Sequence, residues 1–87
     1  MRYEIRFKKS AWETLQSIER DARGRLKEAI LALADNPAPA SCRKLAGNQP
    51  FYRIRVGSYR VIYEIMGDVL VVLVLKIGHR RDVYRGL

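Results

Sequence analysis

Residues 51–65 read FYRIRVGSYRVIYEI, and this stretch decides the architecture. Gly57-Ser58 is a two-residue hairpin signal between two runs of alternating sequence. If it is the turn, Val56 pairs with Tyr59, Ile54 with Val61 and Arg55 with Arg60. Directly paired residues share a face of the sheet. One face then carries Tyr52, Ile54, Val56, Tyr59, Val61 and Tyr63, an apolar and aromatic surface suited to cover by helices. The other carries Phe51, Arg53, Arg55, Arg60, Ile62 and Glu64. Arg55 directly opposite Arg60 is unfavourable by some tenths to about 1 kcal/mol. Cations kept together despite repulsion suggest an anion that relieves it. The plain alternative is a solvated face whose side chains splay apart, with Glu64 offsetting part of the charge.

Working outward, the run VLVVLVL at 69–75 reads as a buried strand following a second two-residue turn at Gly67-Asp68. Seven residues fall far short of the roughly 20 needed to span a bilayer as a helix. Upstream, RYEIRF (2–7) alternates and reads as a strand. SAWE (10–13) has the spacing of a capping box, with Ser10 as cap and Glu13 reaching back. A helix to about Arg20 would bury Trp12, Leu15 and Ile18. A second, with Asp21 as candidate cap, would bury Leu26, Ala29, Ile30 and Leu33 and stop at Asn36-Pro37. Residues 37–50 read as a docked loop. The expected fold is a single α+β domain over 1–87, in the order β-α-α-β-β-β. A helical hairpin packs on one face of a small antiparallel sheet.

Composition agrees with a polyanion partner. The 87 residues include 17 Lys and Arg against nine acidic residues, a formal charge of +8. Most of the basic residues are arginines, which bind phosphate through a bidentate fork. The single cysteine, Cys42, cannot form an internal disulfide, which points to a reducing cytoplasm. No secretory signal opens the chain. One histidine and no clustered acids leave no usual metal site, and no cofactor motif is present. The tail KIGHRRDVYRGL (76–87) adds Lys76, His79, Arg80, Arg81, Tyr84 and Arg85 and can border the arginine face. Each has a plainer reading too: surface histidine, solubilising arginines, packing tyrosine.

The segment LAGNQPFYRIRVGSYRVIYEI, followed by VLVVLVLKIGHRRDVYRGL, resembles the RelE/ParE superfamily of bacterial and archaeal toxins. The similarity is strongest from Lys44 to Arg85, and its most specific parts are YRIRVGSYRVIYEI and GHRRDVY. The resemblance implies a microbial ribonuclease fold. RelE-type members cleave mRNA in the ribosomal A site and are neutralised by an antitoxin. ParE-type members share the fold but poison DNA gyrase. It implies roles for Arg53, Arg55, Arg60, Arg80 or Arg81, and Tyr84. With His79 from the tail, the expected catalytic set is Arg53, Arg55, Arg60, Arg80, Arg81, Tyr84 and His79, and Lys44, Phe51, Lys76 and Arg85 are expected to contact RNA. RelE-type enzymes usually carry lysines where Arg53 and Arg55 stand. An arginine cannot be deprotonated in a protein, so these two clamp phosphate, and the base falls to His79, Tyr84 or a ribosomal group. The expected partners are an acidic antitoxin in a hetero-oligomer, and the ribosome with its mRNA.

Overall fold

The structure, a computed structural model, describes residues 2–45, 47 and 50–79. The elements run β1 (Glu4–Phe7), α1 (Lys9–Ser17), α2 (Arg20–Ala32), β2 (Arg43–Lys44), β3 (Phe51–Val56), β4 (Tyr59–Met66) and β5 (Val71–His79). The strands form one sheet in the order β1-β5-β4-β3-β2. The β3–β4 hairpin has the expected register: Val56 opposes Tyr59, Ile54 opposes Val61 and Arg55 opposes Arg60. Gly57 takes φ 59°, whereas Ser58 is not among the positive-φ residues. Positive φ at the first central position alone is the pattern of a type II′ turn, where glycine fits without a Cβ clash.

Alternation along each strand divides the sheet into two faces. Tyr63, Val61 and Ile54 join Val72, Val74 and Ile77 in one buried cluster. The helices close it with Ala11, Leu15, Ile18, Ala22, Leu26, Ile30 and Leu33. Each of the larger aliphatic side chains, fully buried, contributes about 1.5–3 kcal/mol. Trp12 and Leu15 of α1 line one groove with Lys27, Ile30 and Leu31 of α2. The start of α1 therefore lies beside the end of α2, as in a helical hairpin.

Several expectations are corrected. The sheet is mixed rather than antiparallel: β1 runs parallel to β5, with Ile5 opposite Val72. The segment 37–50 contains an unforeseen strand, β2, antiparallel to β3. The β4–β5 connection spans Gly67–Leu70 instead of two residues, and Leu70 sits at φ 54°. The expected capping box does not form, because α1 starts after Lys8 with no side-chain cap. The cap of α2 is Glu19, whose carboxylate accepts from the N–H groups of Asp21 and Ala22 at 2.7 and 3.4 Å. Trp12 is 46% exposed, edge-on to Phe7 with centroids 5.2 Å apart. Ala11 takes the buried place expected for Trp12.

The β4–β5 pairing contains one irregularity that decides which side chains reach each face. Its register shifts between Ile62 and Tyr63: Tyr63 opposes Val74, but Ile62 opposes Lys76. Leu75 is thus a bulged residue with no direct partner. Had the lower register continued, Lys76 would have followed Val72 and Val74 onto the core face. An unpaired ammonium buried there costs several kcal/mol. The extra residue turns Lys76 outward and sends Ile77 into the core.

Candidate functional site

The face of the sheet turned away from the helices is organised in rows that run across the strands. One row is Arg43, Arg53, Ile62 and Lys76, contributed by β2, β3, β4 and β5. Three inter-strand steps make it about 14 Å long. The next row is Arg55, Arg60 and Gly78. On the other side lies a row of Phe51, Glu64, Leu73 and, on β1, Arg6. Cations from several strands therefore share one surface, with Arg53 in its middle row and Arg55 and Arg60 in the row beside the turn. Ile62 is fully buried here although it lies outside the helix-side cluster. Its row neighbours Arg53 and Lys76 are both only part-exposed, as expected of long aliphatic stems laid along an apolar neighbour.

The acids on this face differ in their engagement. Glu4 is paired with Arg6 at 3.2 Å. Glu64 is half-buried and has no ion-pair partner among the described residues. Arg43 donates through Nη1 to the carbonyls of Cys42 and Ala40, at 3.0 and 3.4 Å. These bonds tie its stem to the preceding loop and leave the rest of the guanidinium for an external anion.

The sequence-derived site residues divide by face. Arg53, Arg55, Arg60, Phe51 and Lys76 are brought together. Two others are not. Lys44 opposes Tyr52 and so belongs to the helix-side parity, which removes it from the arginine rows. His79 opposes Tyr59, with the two rings stacked at 4.2 Å and 22°. The bulge at Leu75 is the reason: uninterrupted alternation would have placed His79 beside the arginines. His79 is therefore not positioned as a base for chemistry on the arginine face. Arg80, Arg81, Tyr84 and Arg85 lie outside the described residues. Sequence reasoning misses Arg43, because β2 reads as loop. The available signal is RKL shortly before the β3 run, a short strand preceding a long one.

The opposite face is built for rigidity. Tyr63 is fully buried, its hydroxyl donates to the Pro37 carbonyl at 2.7 Å, and its ring stacks on Tyr52 at 6.0 Å. Burial, helped by the neighbouring Cys42 thiol, pushes the phenol well above the ordinary tyrosine value of about 10. The hydrogen bond fastens the start of the 37–42 loop, which then delivers Arg43 to the sheet edge.

Comparison with known proteins bears on this arrangement. The family described as ParE toxin of type II toxin-antitoxin system, parDE, matches residues 5–84. Toxin RelE3 of Methanocaldococcus jannaschii is 28% identical over 85 residues, covering 93% of this chain and 94% of that protein. A chain of the archaeal RelE–RelB complex from Pyrococcus horikoshii OT3 superposes with a TM-score of 0.82 at 31% identity, over 93% of this chain and 98% of that one. A chain of the intact E. coli RelBE toxin–antitoxin complex gives 0.80 at 25% identity, over 91% and 98%.

Proposed function

The chain belongs to the RelE/ParE family of toxins of type II toxin–antitoxin systems, and on that premise we propose that it is a ribosome-dependent endoribonuclease that cleaves mRNA and halts translation. The observation that carries this reading is the convergence of Arg53, Arg55 and Arg60 on one sheet face, extended by Arg43 and Lys76. In the proposed reaction, which needs no metal ion, the ribose 2′-oxygen attacks the adjacent phosphorus and the 5′-oxygen departs. The products are a 2′,3′-cyclic phosphate and a 5′-hydroxyl. Negative charge grows on the non-bridging oxygens in the transition state, where preorganised cations act most strongly. Arg53, Arg55 and Arg60 supply them. Arg80 or Arg81 backs the leaving oxygen and Tyr84 stacks on a base, as the family resemblance implies. The ribosome supplies orientation of the strand, which by itself is worth about 7–11 kcal/mol.

The neutralising partner in this reading is a cognate antitoxin, and the chain's +8 charge favours an acidic or amphipathic segment. RelE–RelB and RelBE complexes among the structural neighbours support such a partner. Toxin and antitoxin would form a hetero-oligomer in the cytoplasm, where the ribosomes are. No helix among the described residues is long and apolar enough to cross a membrane.

A second reading is favoured by the description of the matching family as ParE: a toxin that inhibits DNA gyrase without cleaving RNA. Primer extension on translated mRNA after induction separates the two. New 5′ ends within coding sequence are expected. Intact mRNA together with falling gyrase supercoiling would overturn the ribonuclease reading. Arg60→Ala is expected to weaken growth arrest while circular dichroism stays unchanged.

A further inference from the structure

The reaction needs a group to take the proton from the 2′-hydroxyl. Guanidinium groups stay protonated and cannot serve. His79 stands on the far side of the sheet. Among the described residues, the arginine face holds Lys76, Glu4 and Glu64 as side chains able to exchange a proton. An amine is ordinarily protonated at neutral pH and a carboxylate ordinarily ionised, so the carboxylates are the ready acceptors. Glu4 lies two strands from β4 and is engaged by Arg6. Glu64 has no such partner among the described residues.

The placement of Glu64 suits the role. It opposes Phe51 on β3 and Leu73 on β5, so apolar side chains wall it on both sides. Arg53 is its diagonal neighbour across the hairpin, at a Cα separation of about 7–8 Å. The two side chains make no ion pair with each other. A guanidinium and a carboxylate on neighbouring strands of one face, not closed into an ion pair, can engage the phosphate and the adjoining ribose hydroxyl of one strand. Phe51, half-buried on the same row, offers a ring on which a base can stack.

We infer that Glu64 is the catalytic residue that accepts the 2′-hydroxyl proton of an RNA strand laid over Arg53, an inference that rests on the ribonuclease reading of the site. The proton passes from the 2′-oxygen to a Glu64 carboxylate oxygen as the 2′-oxygen bonds to phosphorus. The bond from phosphorus to the 5′-oxygen breaks. The 5′-oxygen keeps the electron pair and takes a proton from solvent water. Glu64 then returns its proton to solvent.

The test is single-turnover cleavage of a defined mRNA on programmed ribosomes, with toxin binding to the same ribosomes measured alongside. Glu64→Gln keeps the shape and hydrogen-bonding reach but accepts no proton, and circular dichroism checks its fold. Its cleavage rate is expected to fall about 10²–10⁴-fold, the usual range for a lost acid–base group. Binding should be unchanged or tighter, since a negative charge has left a cationic face. Glu64→Asp should restore part of the rate. If Glu64 only offsets charge, Glu64→Gln binds tighter and cleaves at least as fast, which overturns the inference. Lys76→Arg keeps a cation for the RNA but has no releasable proton. An inactive Lys76→Arg beside an active Glu64→Gln assigns the proton to Lys76 and also overturns it. A wild type that cleaves no mRNA removes the ribonuclease reading itself, and the role of Glu64 with it.

Discussion

Tyr63 allows a prediction whose size can be worked from the structure. Its ring is fully buried and its hydroxyl donates at 2.7 Å to the carbonyl of Pro37. Tyr63→Phe keeps the ring and its stacking on Tyr52 but deletes the donor. A net hydrogen bond is worth about 0.5–1.5 kcal/mol, and leaving the carbonyl without its donor adds to the loss. We expect about 1–2 kcal/mol at pH 7–9, a fall in Tm of roughly 5–15 °C for a domain of this size. The pH dependence has a definite sign. The folded-state phenol titrates well above its unfolded value of about 10, because burial disfavours the phenolate. The folded state therefore holds the proton where the unfolded state releases it. The contribution is fully present below about pH 10 and is lost as pH rises beyond it. By pH 11 the wild type should have lost about 1.4 kcal/mol through this one group, which Tyr63→Phe cannot lose. Urea titrations of both proteins should show a gap that narrows from pH 9 and closes near pH 11. The two proteins share every other side chain, so the difference between their curves isolates residue 63. Two stability curves that stay parallel to pH 11 would refute the claim that Tyr63 is locked in as a buried neutral donor.

Other outcomes follow from the caps and the rows. Glu19→Ala removes the side chain that caps α2 and should cost about 0.5–2 kcal/mol in denaturant unfolding, whereas Ser10→Ala should change stability by less than about 0.5 kcal/mol. Arg43→Ala should weaken binding to single-stranded RNA and lower the slope of log affinity against log salt by about 0.7, the value for one lost phosphate contact. His79→Phe preserves a ring against Tyr59 and should cleave mRNA at the wild-type rate, which a histidine acting as the base would not allow.

Much of the fold is legible in the sequence because two signals agree. The turn at Gly57-Ser58 sets the hairpin register, and alternation on either side assigns each residue to a face. The helix stripe of Leu26 and Ile30 is equally plain. Capping is less so, because several residues in the neighbourhood can cap and only the backbone path selects one. Ser10 has the better sequence pattern for α1, yet the chain enters that helix two residues earlier. Glu19 reads from sequence as part of the last turn of the first helix, although Ile18 and Glu19 both depart from helical backbone. The direction of β1 is invisible for another reason. Pairing with β5 across the whole chain depends on how the helices return the strand to the sheet, and no local residue records it.

The candidate site shows where local alternation fails. Phe51, Arg53, Arg55 and Arg60 fall on the expected face because no irregularity intervenes between them and the turn. Beyond Leu75 the count is off by one. Nothing in VLVVLVLKIGH marks a bulge by residue type, yet the energetics demand one. Straight alternation from Val72 and Val74 would bury Lys76 and expose Ile77. A single unpaired residue reverses both, and the same shift carries His79 to the helix side against Tyr59. The position of the chain's one histidine is thus a by-product of keeping a lysine out of the core. That in turn changes which groups can do chemistry on the arginine face. Without His79, the face contains many fixed cations and one carboxylate, Glu64, outside any ion pair among the described residues. From sequence Glu64 looks like a partial counter-charge. In the folded sheet it becomes the group whose removal most sharply separates a binding surface from a reactive one.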